Sequence, residues 1–137
     1  GMMGVLEIDS RIQEKILKII EESQYKGEET KTPSTIEGKI IQDADWLDAL
    51  GAIGVARTFA TGGKIGRIIF DPNIKPRQQL SKKDYQLKKT EGTSINYFYE
   101  KTIKLPEMMN TESGKRKAEK RWQFVKQFLE KFLEEWE

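Results

Sequence analysis

The 137 residues include no histidine and no cysteine. Without cysteine there is no disulfide, thiolate metal site or cysteine nucleophile. Without histidine there is no imidazole ligand and no Ser-His or Cys-His catalysis. A metal site built from this chain alone must use oxygen donors, which favours Mg²⁺, Mn²⁺ or Ca²⁺ over Zn²⁺. No apolar run approaches the roughly 20 residues that span a bilayer. Charges break up the first apolar residues, so there is no signal-peptide pattern. We expect a cytoplasmic protein with no membrane partner. Charge of one sign is also scarce: 24 Lys+Arg against 22 Asp+Glu leave a net +2, too little to imply a nucleic-acid partner. Aromatic residues do not alternate with basic ones as single-strand platforms require. Internal repeats and strand-forming alternation are absent, and Gly1 before Met2 reads as a remnant of tag removal.

What is present points to one domain over residues 1–137, all-α, with about four main helices and a long irregular loop. Ser10 and Gln13 form a capping box, and Ile12, Ile16, Ile19 and Ile20 recur at helical spacing, giving a helix over 10–24. Thr32-Pro33 is a good helix entrance, and the apolar pattern that follows predicts a second helix over 33–61. Ser94 opens a third over 94–105, closed by Pro106, and Asn110 or Thr111 caps a fourth over 111–136. Its stripe of Ala118, Trp122, Val125, Phe128, Leu129, Phe132 and Trp136 reads as core or interface. The loop 64–92 is basic, with Arg67, Lys75, Arg77, Lys82, Lys83, Lys88 and Lys89. It is either a solvated loop or one that brings cations to an anionic ligand.

The stretch 36–63 organises the chain. On a helical wheel Ile36, Ile40, Ala44, Leu47, Gly51, Gly54 and Val55 share an apolar face, with Asp43 and Asp48 at its margin. Asp45 and Asp48, three apart, share a side. Carboxylates near a core need a cation, a metal or several donors. Two readings stay open: bonds to Arg, Lys and backbone N–H groups, or a metal or phosphate site. Gly51 and Gly54 inside a helix predict close packing or a kink, and Gly62 is a suitable helix terminator.

At EGKIIQDADWLDALGAIGVARTFATGG the sequence resembles the HD-domain phosphohydrolase superfamily, in a branch of predicted bacterial HD hydrolases. The resemblance continues through Asp71-Pro72, INYFYEK, Met109-Asn110-Thr111 and the basic start and Trp-containing end of the last helix, covering roughly 10–137. It implies an all-α HD-like bundle, and an activity in which a divalent metal, Mn²⁺ or Mg²⁺, activates water against a phosphate ester or anhydride, a nucleotide among them. It places Asp45 at the family's distant metal-ligand aspartate, with Asp43 and Asp48 in support and Arg57, Lys101 and Lys104 as phosphate contacts.

The departures are as informative. The family's first His and its His-Asp pair precede the matching region, so the resemblance covers an HD fold truncated at its N-terminus. The family has His where Tyr97 stands and Arg where Trp46 stands. With three of four ligands missing, Asp45 marks a vestigial ligand position. We expect the isolated chain to retain no metal and to be inactive. The alternative is a non-enzymatic helical module for self-association or anion binding. Without the N-terminal helices, Ile40, Ile41, Leu47 and their neighbours would meet water at about 1.5–3 kcal/mol each. That predicts a homodimer, or a partner chain supplying the missing helices.

Overall fold

The computed structural model describes residues 9–26, 29–77 and 91–136. Helix α1 spans Ser10–Ser23, α2 Ile36–Asp48, α3 Gly51–Lys64, α4 Ser94–Glu100, α5 Leu105–Met108 and α6 Glu112–Glu135, with a 3₁₀ turn at Thr102–Lys104. There is no strand among the described residues, as an all-α reading requires. No described helix is long and apolar enough to cross a membrane.

The longest helix is α6, and its period-3.6 stripe anchors the core. Ala118, Trp122, Val125 and Leu129 are buried against Trp46, Leu50, Val55, Ile95, Phe98, Leu105 and Met109. Phe128 and Phe132 continue the stripe onto Phe59 and Phe70, with ring centroids 5.8–6.4 Å apart. Trp136 is largely exposed but packs edge-on to Phe70 at 5.3 Å. Thr111 caps α6, its hydroxyl accepting from Gly114 N.

The single helix expected over 33–61 is two helices. Ala49 and Leu50 leave the helical path, and Gly51 enters α3 at φ +72, a left-handed conformation that glycine adopts cheaply. Gly54 then passes so close to Ala49 that a Cβ would stand 2.3 Å from its carbonyl carbon and oxygen. Arg121 of α6 donates to the Leu47 carbonyl at the end of α2, satisfying a terminal acceptor. Other boundaries move by a few residues. Asp9, not Ser10, caps α1. Thr35, not Thr32, caps α2, and Pro33 lies buried before it. The helix expected over 94–105 ends at Glu100, because Lys101 takes a non-helical conformation.

Nor does Gly62 end α3. It lies inside the helix, buried against Ser94, and the terminator is Gly66 at φ +74. Gly66 N donates to Gly63 O and Arg67 N to Gly62 O, the paired bonds of a Schellman end. The chain from 68 to 77 is then laced to α4. Ser94 N and Ile95 N donate to Ile68 O and Ile69 O, and the Asn96 amide donates to Ile74 O. Lys82, Lys83, Lys88 and Lys89 lie outside the described residues.

The core side of α2 is not the one its isoleucines mark, and Ile40 and Ile41 meet water, as expected of a chain without the N-terminal helices. Gly38, Gln42, Asp43 and Trp46 are buried, while Ile36, Ile40 and Ile41 are about half exposed or more, at 60%, 54% and 49%. Leu47 is half-buried against the core. Beside Trp46, the buried side of α2 carries the polar Gln42 and Asp43 because these tie separate segments together. The Gln42 amide donates to the Lys31 carbonyl at 3.1 Å and to the terminal carbonyl of α1 at Glu22 at 3.3 Å, while Gln42 Oε1 accepts from Asn110. These bonds outweigh a simple hydrophobic ranking of faces.

Helix α1 is held at the edge by Ile19, its one buried residue, and by two carboxylates. Glu22 accepts from Ser34 N at 2.8 Å and Ser34 Oγ at 2.9 Å. Glu37 accepts from Lys15 at 2.7 Å. The Ser34 backbone bond, then the Ser34 hydroxyl, hold the Glu22 carboxyl below its usual value of 4.5, and the Lys15 bond does the same for Glu37. A lowered folded value means that the stabilisation is present above pH 4.5 and is lost as pH falls through that lower value. We therefore expect α1 amide protection to fall as pH drops below 4.5. Replacing Glu22 with Gln should remove most of that dependence in hydrogen exchange corrected for intrinsic rates.

A cleft of mixed charge between α2, α3 and α4

The break at 49–50 lets the end of α2 and the first turns of α3 face one another. A cleft of about 310 Å³ opens there, lined by Asp45, Asp48, Arg57, Arg67, Arg77, Tyr97, Glu100 and Lys101 among others. Four of the six residues expected in a site meet here: Asp45, Asp48, Arg57 and Lys101. Asp45 is exposed. Asp48 is exposed rather than turned to the core, and it forms an ion pair with Arg57. Lys101, at the end of α4, places its ammonium 4.3 Å from the Tyr25 ring centroid and 5.6 Å from that of Tyr97.

Asp43 and Lys104 are not in the cleft. Asp43 is buried elsewhere and has a structural role. Its Oδ1 accepts from Asn110 N at 2.7 Å and Asn110 Nδ2 at 2.9 Å. Its Oδ2 accepts from Thr111 N at 2.8 Å and Thr111 Oγ1 at 2.7 Å. Four donors compensate the buried charge, and the carboxylate fixes the entrance to α6. Lys104 ends the 3₁₀ turn and does not line the cleft.

The sequence reading did not assign Arg67, Arg77, Tyr97 or Glu100 to the site. Glu100, buried, accepts from Arg77 N at 2.9 Å, Nε at 3.0 Å and Nη2 at 2.7 Å. Arg67 follows the Schellman turn and lies 5.4 Å from the Tyr97 centroid. Both arginines belong to the basic segment expected to bring cations to an anionic ligand. The signal that could have singled them out is position: one follows the glycine that ends α3, the other closes the strap on α4.

No family model matches the chain. Over 118 residues, 85% of its length, the chain is 32% identical to the uncharacterized protein YpgQ of Bacillus subtilis, of which it spans 49%. A solved protein from Lactobacillus plantarum is 35% identical with a TM-score of 0.89, matching 98% of this chain and 63% of its own. An HD-superfamily hydrolase from Bacillus thuringiensis is 41% identical with a TM-score of 0.67, matching 98% and 58%. The chain belongs to the HD superfamily. As an HD-superfamily chain it spans about half the length of its curated relative and under two thirds of these solved ones. The YpgQ structure in complex with ADP aligns with a TM-score of 0.70 at 27% identity.

The HD fold implies a divalent metal, and the described residues by themselves do not make up a site for one. No group of three or more His, Cys, Asp or Glu able to hold a metal occurs among the described residues. The sequence supplies no imidazole. Of the two aspartates in the cleft, Asp48 is already engaged by Arg57.

Proposed function

We propose that this chain carries the anion-recognising wall of an HD-type phosphohydrolase, and that it binds the phosphate groups of a nucleotide or phosphate ester in the cleft. The observation that carries this reading is the gathering of Arg57, Arg67, Arg77 and Lys101 around Asp45 and Asp48. Charge-assisted hydrogen bonds from guanidinium and ammonium groups suit phosphate oxygens. The relative solved with ADP supports a nucleotide as the class to test first. In this reading the chain binds and orients the phosphate, and Asp45 is the one donor it adds to a metal centre. The histidine and His-Asp donors come from polypeptide outside this chain.

Two outcomes are expected of the purified chain. Titration calorimetry should detect phosphate and ADP, with Arg57→Gln weakening both about tenfold, the loss of one charge-assisted bond. Assays of nucleotides with Mn²⁺ or Mg²⁺ should show no turnover. Turnover abolished by Asp45→Ala would overturn the need for outside donors, and absence of phosphate and ADP binding would overturn the cleft reading.

A second reading, self-association, is favoured by the exposed Ile36, Ile40, Ile41 and Ile53. Covering the exposed half of each side chain contributes about 1–1.5 kcal/mol. Light scattering at micromolar concentration should give a dimeric mass, and a monomeric one would refute this reading.

A further inference from the structure

Two ion pairs in the cleft lie at different depths. Glu100 is buried and holds Arg77 through the backbone N–H, Nε and Nη2. The Asp48–Arg57 pair is open to solvent, with side chains 55% and 61% exposed. A buried pair is fixed, because either charge left alone would be costly. An exposed pair contributes little and exchanges partners readily. Asp48 also stands in an electrostatically poor place. It is the last residue of α2, whose last turn carries no basic residue, and a carboxylate there opposes the helix dipole. Arg121 reaches this end from α6, but donates to the Leu47 carbonyl. The cation that meets Asp48 comes from α3, across the break at 49–50.

We propose that Asp48 is the resident counter-ion of Arg57, a built-in competitor that an incoming phosphate displaces. Both side chains line the cleft. A guanidinium presents its donors in a planar fork that suits a carboxylate and a phosphate alike. With Asp48 at that fork, a phosphate gains Arg57 only by weakening the carboxylate bond, and it meets the carboxylate's charge as it approaches. The ligand chemistry is a terminal phosphate, free or carried by a monoester or diphosphate. This deepens the phosphate-binding reading above and rests on it. It also reverses the sign expected of Asp48. A residue that only supports the site weakens it, or leaves it unchanged, when its charge is removed; a competitor strengthens it. Removing the charge leaves both helices in place, unlike a displacement of α3, which would carry Arg57 itself away from the other cleft residues.

The test is calorimetric titration of the full chain with inorganic phosphate and with ADP, at two salt concentrations. Asp48→Asn should tighten both ligands about three- to fivefold at low salt, the worth of an exposed ion pair. The advantage should shrink at high salt. Asp48→Glu keeps the charge and should stay within about 1.5-fold of the wild type. In an Arg57→Gln background, Asp48→Asn should change affinity by less than about 1.5-fold, because the residue it acts through is gone. Melting curves check folding, and Asp48→Ser serves as a second neutral variant should Asp48→Asn not fold. Binding by the neutral variants that equals or falls below the wild type overturns the inference and leaves the phosphate-binding reading standing. Tightening that persists in the Arg57→Gln background also overturns it, since the carboxylate would then act only through the general field of the cleft. If neither the wild type nor the neutral variants bind either probe, the phosphate-binding reading falls and takes the inference with it.

Discussion

Replacing Asp43 with alanine should lower the unfolding free energy by about 3–4 kcal/mol, among the largest effects available to one substitution in this chain. The carboxylate accepts from both backbone N–H groups that open α6, and from the Asn110 amide and Thr111 hydroxyl. Alanine leaves those donors without their acceptor in a site where Asp43 is 3% exposed, and each buried unpaired donor costs about 1–3 kcal/mol. Thr111 would also lose part of its orientation as the cap that serves Gly114 N. Gly114 belongs to the same arrangement, since a Cβ there would stand 2.4 Å from Asp43 Oδ2. Gly114→Ala should therefore destabilise the wild type, and much less so once Asp43→Ala has removed the oxygen it strikes. Urea unfolding of the two single variants and the double variant measures this, and simple additivity would show that the two residues do not share a cause.

The second large effect is expected at Gly54. Glycine to alanine within a helix ordinarily stabilises by about 0.5–1 kcal/mol. Here the sign should reverse, to a loss of about 2–3 kcal/mol. The added methyl would stand 2.3 Å from the carbonyl carbon and oxygen of Ala49, and backbone cannot swing aside as a flexible side chain can. To fit, α3 must move away from the end of α2. That motion separates Arg57 from Asp48, which now pair across the break. Loss of stability in urea should thus come with loss of phosphate affinity in calorimetry. Higher stability in Gly54→Ala would mean that the two helices do not approach as described.

Where the apolar period was strong, the sequence already showed the fold. Helices α1 and α6 lie within a residue or two of their expected limits, because Ile and aromatic residues recur at 3.6 and local caps agree with them. The division of 33–61 was harder to foresee. Gly51 and Gly54 announced close packing, but the turn needs the left-handed Gly51 and the extended Leu50 that packing against α6 stabilises. The orientation of α2 was misread for a related reason. Its isoleucines suggested the core, whereas Gln42 and Asp43 are drawn inward by partners 11 to 68 residues away. No local pattern encodes those partners.

The cleft was half legible. Asp45, Asp48, Arg57 and Lys101 were singled out, and the chain brings them together. Asp43 and Lys104 go elsewhere, and Arg67, Arg77, Tyr97 and Glu100 join them through the strap laced to α4. That strap depends on bonds from Ser94, Ile95, Asn96 and Glu100 to a segment some 20 residues away.

The aspartates at 43 and 45 sit about 200° apart around α2, one holding the architecture and the other facing solvent in the cleft. Selection would weigh them separately. A descendant that abandoned its chemistry could discard Asp45 freely, yet would still need Asp43 to fold. On the proposed reading Asp43 therefore reports the fold and Asp45 the chemistry, and a chain that keeps the first without the second retains the architecture alone.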